Sequence, residues 1–162
     1  MNAVDLLESQ HREVEDLFDK IEGAEEGSEE KAAYFDQLAD SLAIHSAIEE
    51  HQFYPAVKHR RTEDILLESL EEHLAVKRVL ADLLDTAVGD PTFNAKIKLL
   101  KETVSHHVKE EEDDLFPKVK KLFSDDELET LGEDMQAEQE QLQEEGEPRN
   151  LVPQETGHAA SI

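Results

Sequence analysis

The sequence contains no cysteine and no tryptophan. The missing thiols exclude a disulfide framework, a zinc finger and a thiolate iron–sulfur cluster. Any metal in this chain must therefore be held by imidazole, carboxylate or water. Only six glycines and five prolines interrupt 162 residues, so long segments carry no helix breaker. No apolar run approaches the ~20 residues needed to cross a bilayer. The opening residues Met1 to Asp5 lack a basic segment followed by an apolar one. A cytoplasmic protein with no membrane partner is the expectation. Basic residues are also scarce, 16 against 41 acidic, for a net charge of −25. A surface this negative repels nucleic acid and anionic lipid, so no nucleic-acid partner is expected. The same charge favours solubility and attracts cations.

What is present has helical periodicity, and no stretch alternates like a strand. Five helices are predicted. The first runs from about Val4 to Glu22, with Leu7, Val14, Leu17, Phe18 and Ile21 on one face, and Gly23 and Gly27 break it. The second runs from about Glu29 to Lys58, and Pro55 is expected to kink or end it. The third spans about Glu63 to Ala87. Asp90 and Pro91 are expected to open the fourth as N-cap and first-turn proline, and it continues toward Leu122. Ser124 and Glu127 form a capping box that opens the fifth. From residue 144 onward apolar residues are few, and a disordered tail is predicted over 144–162. The fold class is all-α: one domain over residues 1–143, an up-down-up-down four-helix bundle with a C-terminal fifth helix.

The two halves of the bundle repeat at an offset of 62 residues. His11 maps onto His73, His45 onto His107, Glu49 onto Glu111, Glu50 onto Glu112 and Pro55 onto Pro117. Val14, Phe18, Phe35, Leu38 and Leu42 map onto Val76, Leu80, Ile97, Leu100 and Val104. Two copies of one helical hairpin imply an approximate two-fold axis. Polar residues that repeat in register with apolar ones share their inward face. His45 and Glu49 stack four apart on one helix face, as do His107 and Glu111. Counted from the turns, the four histidines lie at roughly equal depth, ~16–22 Å from the turn end of the bundle.

Six ionisable groups in one apolar interior are costly without compensation. Two cations among His11, His45, Glu49, His73, His107 and Glu111 supply it, with the glutamates placed to bridge them. Imidazole with carboxylate suits iron, manganese or zinc. A metal-free layer of hydrogen-bonded His and Glu is the alternative. His-x-x-x-Glu also occurs at His11–Glu15, His59–Glu63 and His106–Glu110, none of which repeats at the offset. His106 aligns with Ile44, one position off the ligand face. His51, His59 and His158 are read as bystanders.

The segments from His45 to Pro55 and from His107 to Pro117 resemble the signature of the hemerythrin-like, HHE cation-binding family, with both copies present. The resemblance covers about residues 4 to 142. It implies a bundle holding a non-haem, carboxylate-bridged centre of two iron ions, with the six residues above as ligands. Two departures separate the chain from oxygen-carrying hemerythrins. Those have His-x-x-x-His on the third helix, where this chain has Lys77 four after His73. They use His-x-x-x-x-Asp on the fourth, where this chain has His107-x-x-x-Glu111. One imidazole fewer turns the expectation from oxygen transport toward binding or sensing oxygen, nitric oxide or peroxide. The alternative is a di-iron oxidase, peroxide-consuming or ferroxidase-like, with Tyr54 or Lys77 as proton donor.

Overall fold

The computed structural model describes all 162 residues, and all regular structure is helical. Helix α1 (Ala3–Gly23) starts where the Asn2 side chain accepts the Asp5 N–H at 2.9 Å, satisfying one free first-turn donor. Its buried stripe is Val4, Leu7, His11, Val14, Phe18 and Ile21. Gly27 turns the chain back with φ +72°, a conformation in which any other residue would be strained. Ser28 caps α2 (Glu29–Ile48), accepting from Lys31 N–H.

Pro55 does not end the second rod. The chain passes through a π turn (Glu49–Phe53) into α3 (Tyr54–Val57). Proline lacks the N–H that would close an ordinary helical turn, and the Tyr54 N–H bonds five residues back to the Glu49 carbonyl. The same device repeats 62 residues later. Helix α4 (Glu63–Leu84) returns, and α5 (Phe93–Glu110) leads through a π turn (Glu111–Leu115) into α6 (Phe116–Leu122). Each π turn begins at a glutamate of the predicted ligand set. Wide turns of this kind occur mostly at functional sites.

Two predicted boundaries move. Asp90 and Pro91 do not open the fourth rod, since the helix begins at Phe93 with Thr92 before it. The Asp90 carboxylate instead accepts the Thr92 N–H at 2.8 Å and hydroxyl at 2.7 Å, closing a local turn. The third rod stops at Leu84, not Ala87.

The fifth helix, α7 (Asp125–Glu145), carries the predicted capping box of Ser124 and Glu127. It lies mainly against α1 and α2 among the bundle rods. Gly132 makes that seat possible, because a Cβ there would stand 2.4 Å from the Met1 carbonyl oxygen.

The predicted disordered tail is a correction. Residues Pro148–Glu155 form a 3₁₀ segment against α2 and α4, with Val152 only 2% exposed. Arg149 donates to Asp40 at 2.9 Å, and Arg78 donates to the Thr156 carbonyl at 3.0 Å. Ala159, Ala160 and Ile162 pack on the apolar core beyond. Few apolar residues remain in this stretch, but those few meet prepared grooves, which average composition does not register.

The core has two parts. One apolar cluster fills the turn end, around Phe18, Phe35, Leu38, Leu80, Leu83 and Leu100. The other fills the opposite end, around Leu7, Ile48, Phe53, Tyr54, Leu66 and Phe116. The polar layer of His and Glu lies between them.

Candidate metal centre

All six predicted ligands are buried. His11, His45, His73 and His107 are 2–7% exposed, and Glu49 and Glu111 are 0% exposed. One pair of imidazoles, His11 and His45, sits with ring centres 4.9 Å apart. The other, His73 and His107, sits at 4.8 Å. The carboxylates stand between the pairs. Glu49 Oε1 is 2.7 Å from His45 Nε2 and 3.4 Å from His73 Nε2. Glu111 Oε1 is 3.2 Å from both His11 Nε2 and His107 Nε2. Two groups of potential ligand atoms result: His11, His45 and Glu111, and Glu49, His73 and His107.

The outward nitrogens fix the tautomers. His11 Nδ1 donates to Glu112 Oε2 at 2.7 Å and His73 Nδ1 to Glu50 Oε2 at 2.7 Å. His107 Nδ1 donates to Glu72 Oε1 at 2.9 Å and His45 Nδ1 to Gln10 Oε1 at 2.7 Å. These partners accept, so each ring carries its proton on Nδ1 and turns the Nε2 lone pair inward. The interior then holds four imidazole acceptors and two carboxylates facing one another. The donor among them is Tyr54, whose hydroxyl gives its proton to Glu111 Oε2 at 2.9 Å and lies 3.2 Å from His73 Nε2.

A ring of acceptors with one donor needs positive charge. His45 Nε2 and both Glu49 oxygens have no hydrogen-bond partner although all are buried. The 2.7 Å approach of His45 to Glu49 is not a hydrogen bond, because its direction is wrong. These orphaned donors fit the ligand chemistry of a divalent or trivalent metal.

Electrostatics agree. Burial alone would push His11, His73 and His107 down. Glu111 overrides it at His11, Glu49 and Glu50 at His73, and Glu111, Glu49 and Glu72 at His107, raising all three. Burial would push Glu49 up, yet His45 and its other neighbours hold it well below the usual carboxylate range. Burial, with Glu111 and Glu49 adding to it, drives Tyr54 well above its ordinary value, so its hydroxyl keeps its proton.

The family comparisons identify the kind of domain. The family model for the hemerythrin HHE cation-binding domain matches residues 2–119. The chain belongs to that family. An uncharacterized protein of Mycobacterium tuberculosis is 33% identical over 143 residues, 88% of each chain. A crystal structure of a hemerythrin HHE cation-binding domain-containing protein from Mycobacterium kansasii superposes with a TM-score of 0.80. It is 34% identical and covers 90% of this chain and 89% of that one. A DNA nickase of Nostoc is 26% identical over 89% of this chain, a stretch that makes up 41% of the nickase.

As an HHE domain with its His and Glu brought together, the chain is built for metal binding. The other histidines stay out. His106 is exposed and pairs with Glu72 and Glu110, and His51 pairs with Glu138 at the surface. Lys77 is buried, but its Nζ donates to Glu50 Oε1 at 2.8 Å and lies 3.3 Å from Glu155 Oε1, away from the inner nitrogens.

Sequence reasoning missed the outer partners. Glu50 and Glu112 were visible as repeating residues but had no role. Gln10 and Glu72 were visible as the residues preceding His11 and His73 at the same offset. Tyr54 was read only as a proton donor, without its place among the ligands. A cavity of about 20 Å³ is lined by the four imidazoles with Val14, Leu42, Val76 and Val104. It is room for about one molecule the size of water.

Proposed function

We propose that the protein is a non-haem di-iron protein that binds or senses oxygen or a related small molecule such as nitric oxide or peroxide. The observation that carries this reading is the inward ring of four Nε2 lone pairs and two carboxylates, flanked by an apolar cavity. His11 and His45 would hold one ion and His73 and His107 the other, with Glu49 and Glu111 reaching both. When bound, two iron ions supply the redox and ligand-binding chemistry for such molecules.

The residues around them do the rest. Glu50, Glu72, Glu112 and Gln10 lock the imidazole orientations. Val14, Val76 and Val104 limit the cavity to small occupants and keep bulk water out. Lys77, where carriers have a further imidazole, is turned to Glu50, which supports an open position rather than a saturated one.

Metal analysis coupled to an optical spectrum tests the reading. Iron near two per chain is expected, with a spectrum that changes reversibly when oxygen, nitric oxide or peroxide is added and removed. His73→Ala should retain about one ion and melt at a lower temperature, because metal bound to the folded state stabilises it by linkage. Full iron content and an unchanged melting temperature in that variant would overturn the ligand assignment.

A di-iron oxidase or peroxide-consuming enzyme is the second reading, and the Tyr54 hydroxyl favours it. A protonated phenol among the ligand atoms is a proton source that a simple binding site does not require. Sustained peroxide or ferrous iron turnover, lost in Glu49→Ala, would select it.

A further inference from the structure

The outer partners of the four imidazoles obey the same two-fold repeat as the ligands, with one exchange. Glu112 backs His11 and Glu50 backs His73, and these glutamates are 62 residues apart. Glu72 backs His107, and the residue 62 positions earlier, Gln10, backs His45. Three imidazoles are thus supported by a carboxylate and one by a neutral amide.

A further residue holds that amide in place. Gln10 Nε2 donates to Gln139 Oε1 of α7 at 2.5 Å, which turns the Gln10 oxygen toward His45. Lys77 pairs with Glu50 and Arg12 pairs with Glu112, one cation on each half, so these two do not level the difference. The exposed His106 lies 3.3 Å from Glu72 but is shared with Glu110 at 3.1 Å, so that carboxylate answers it too. The Gln10 and Glu72 exchange remains as one extra negative charge on the His73–His107 side.

We propose that Gln10, held by Gln139, is a positioning residue that makes the two metal positions inequivalent, so that the ion between His11 and His45 is the one held less tightly and exchanged first. The inference rests on the two-metal reading above. A carboxylate behind an imidazole raises its basicity and strengthens its hold on a metal, and adds its own attraction for the cation. An amide fixes orientation without supplying either. The fifth helix, which seats mainly on the first half of the bundle, therefore sets the weaker position.

The test uses the full chain loaded with ferrous iron and challenged with a ferrous chelator, followed by the absorbance of the released complex. Wild-type protein should release its two ions in two phases of equal amplitude. Gln10→Glu keeps the side-chain shape, and Gln139 can rotate its amide to donate to it. This variant should slow the fast phase about tenfold or more and leave the slow phase alone. Glu72→Gln should speed the slow phase by a similar factor and leave the fast phase alone. A purely structural role for Gln10 predicts no slowing in Gln10→Glu and no mirror effect in Glu72→Gln. Two ions released at one rate, or rates indifferent to both variants, overturn the inference while leaving the two-metal reading standing. Uptake of fewer than two ions overturns both.

Discussion

The two helical hairpins of this bundle are near copies, and their differences are more instructive than their likeness. Both supply two histidines, one central glutamate and a π turn begun by that glutamate. Both line the cavity with aliphatic residues at equivalent positions, Val14 and Leu42 against Val76 and Val104. These shared features are what metal ligation requires of either half. The halves part at Tyr54, whose counterpart Phe116 stacks on His11 at 5.8 Å with no hydroxyl to give. They part again at Lys77, opposite Glu15, and in α7, which covers mainly the first half. A duplicated frame thus fixes where the inward His and Glu stand, and single-residue departures make the two halves chemically different.

The largest expected effect comes from removing what the halves share. Glu49→Ala or Glu111→Ala should cost both ions, since each carboxylate reaches across the pairs. With free metal a few hundred-fold to 1,000-fold above Kd, the lost stabilisation is about 3–4 kcal/mol for each ion. Metal content and denaturation midpoints check it. Retention of one full ion would mean that each glutamate serves a single half.

Next is the unequal cover. Gly132→Ala should unseat α7 from the N-terminus of α1 and cost about 1–3 kcal/mol, because the new methyl meets backbone that cannot yield cheaply. A melting temperature equal to wild type would show that this packing is looser than drawn.

Tyr54→Phe makes the first half like the second. Glu111 loses a buried donor, and the metal-free protein should lose about 1–2 kcal/mol in chemical denaturation. Both ions should remain. Under the enzymatic reading peroxide turnover should also fall, whereas under the binding reading only ligand affinity should change.

The smallest effect is on pH dependence. His11, His73 and His107 are raised, burial being outweighed by the facing carboxylates. Their contribution to stability is complete below the ordinary histidine value of 6.5 and fades as pH rises through their folded-state values. Glu49 is lowered, so its contribution is present above 4.5 and fades as pH falls through its folded-state value. The metal-free protein should therefore be more stable just below the ordinary histidine value of 6.5 than well above it. The metal-loaded protein should show the opposite trend, because protons compete for Nε2. Parallel trends in the two forms would contradict the assignment of those nitrogens as ligands.

Much of this was legible in the chain. The apolar stripes located five helices, and Ser124 with Glu127 marked the start of the fifth. The 62-residue repeat pointed to the six His and Glu that the fold buries together, because polar residues that repeat in register with apolar ones share their inward face. Asp90 closes a turn rather than capping a helix, since a side chain that accepts from the second residue on can build a local turn as readily as a cap. The tail was misread because Val152 and Arg149 gain their meaning from Asp40 and from a groove between helices more than sixty residues away.

The sequence alone determined the helices, their pairing and which His and Glu face inward, because periodicity and repeat length are properties of a one-dimensional pattern. The tertiary structure alone decided which outer group backs each imidazole, that Tyr54 faces both histidines of the second pair, and that Lys77 turns outward. Those choices depend on distances between side chains from different rods, and spacing along one chain does not encode them.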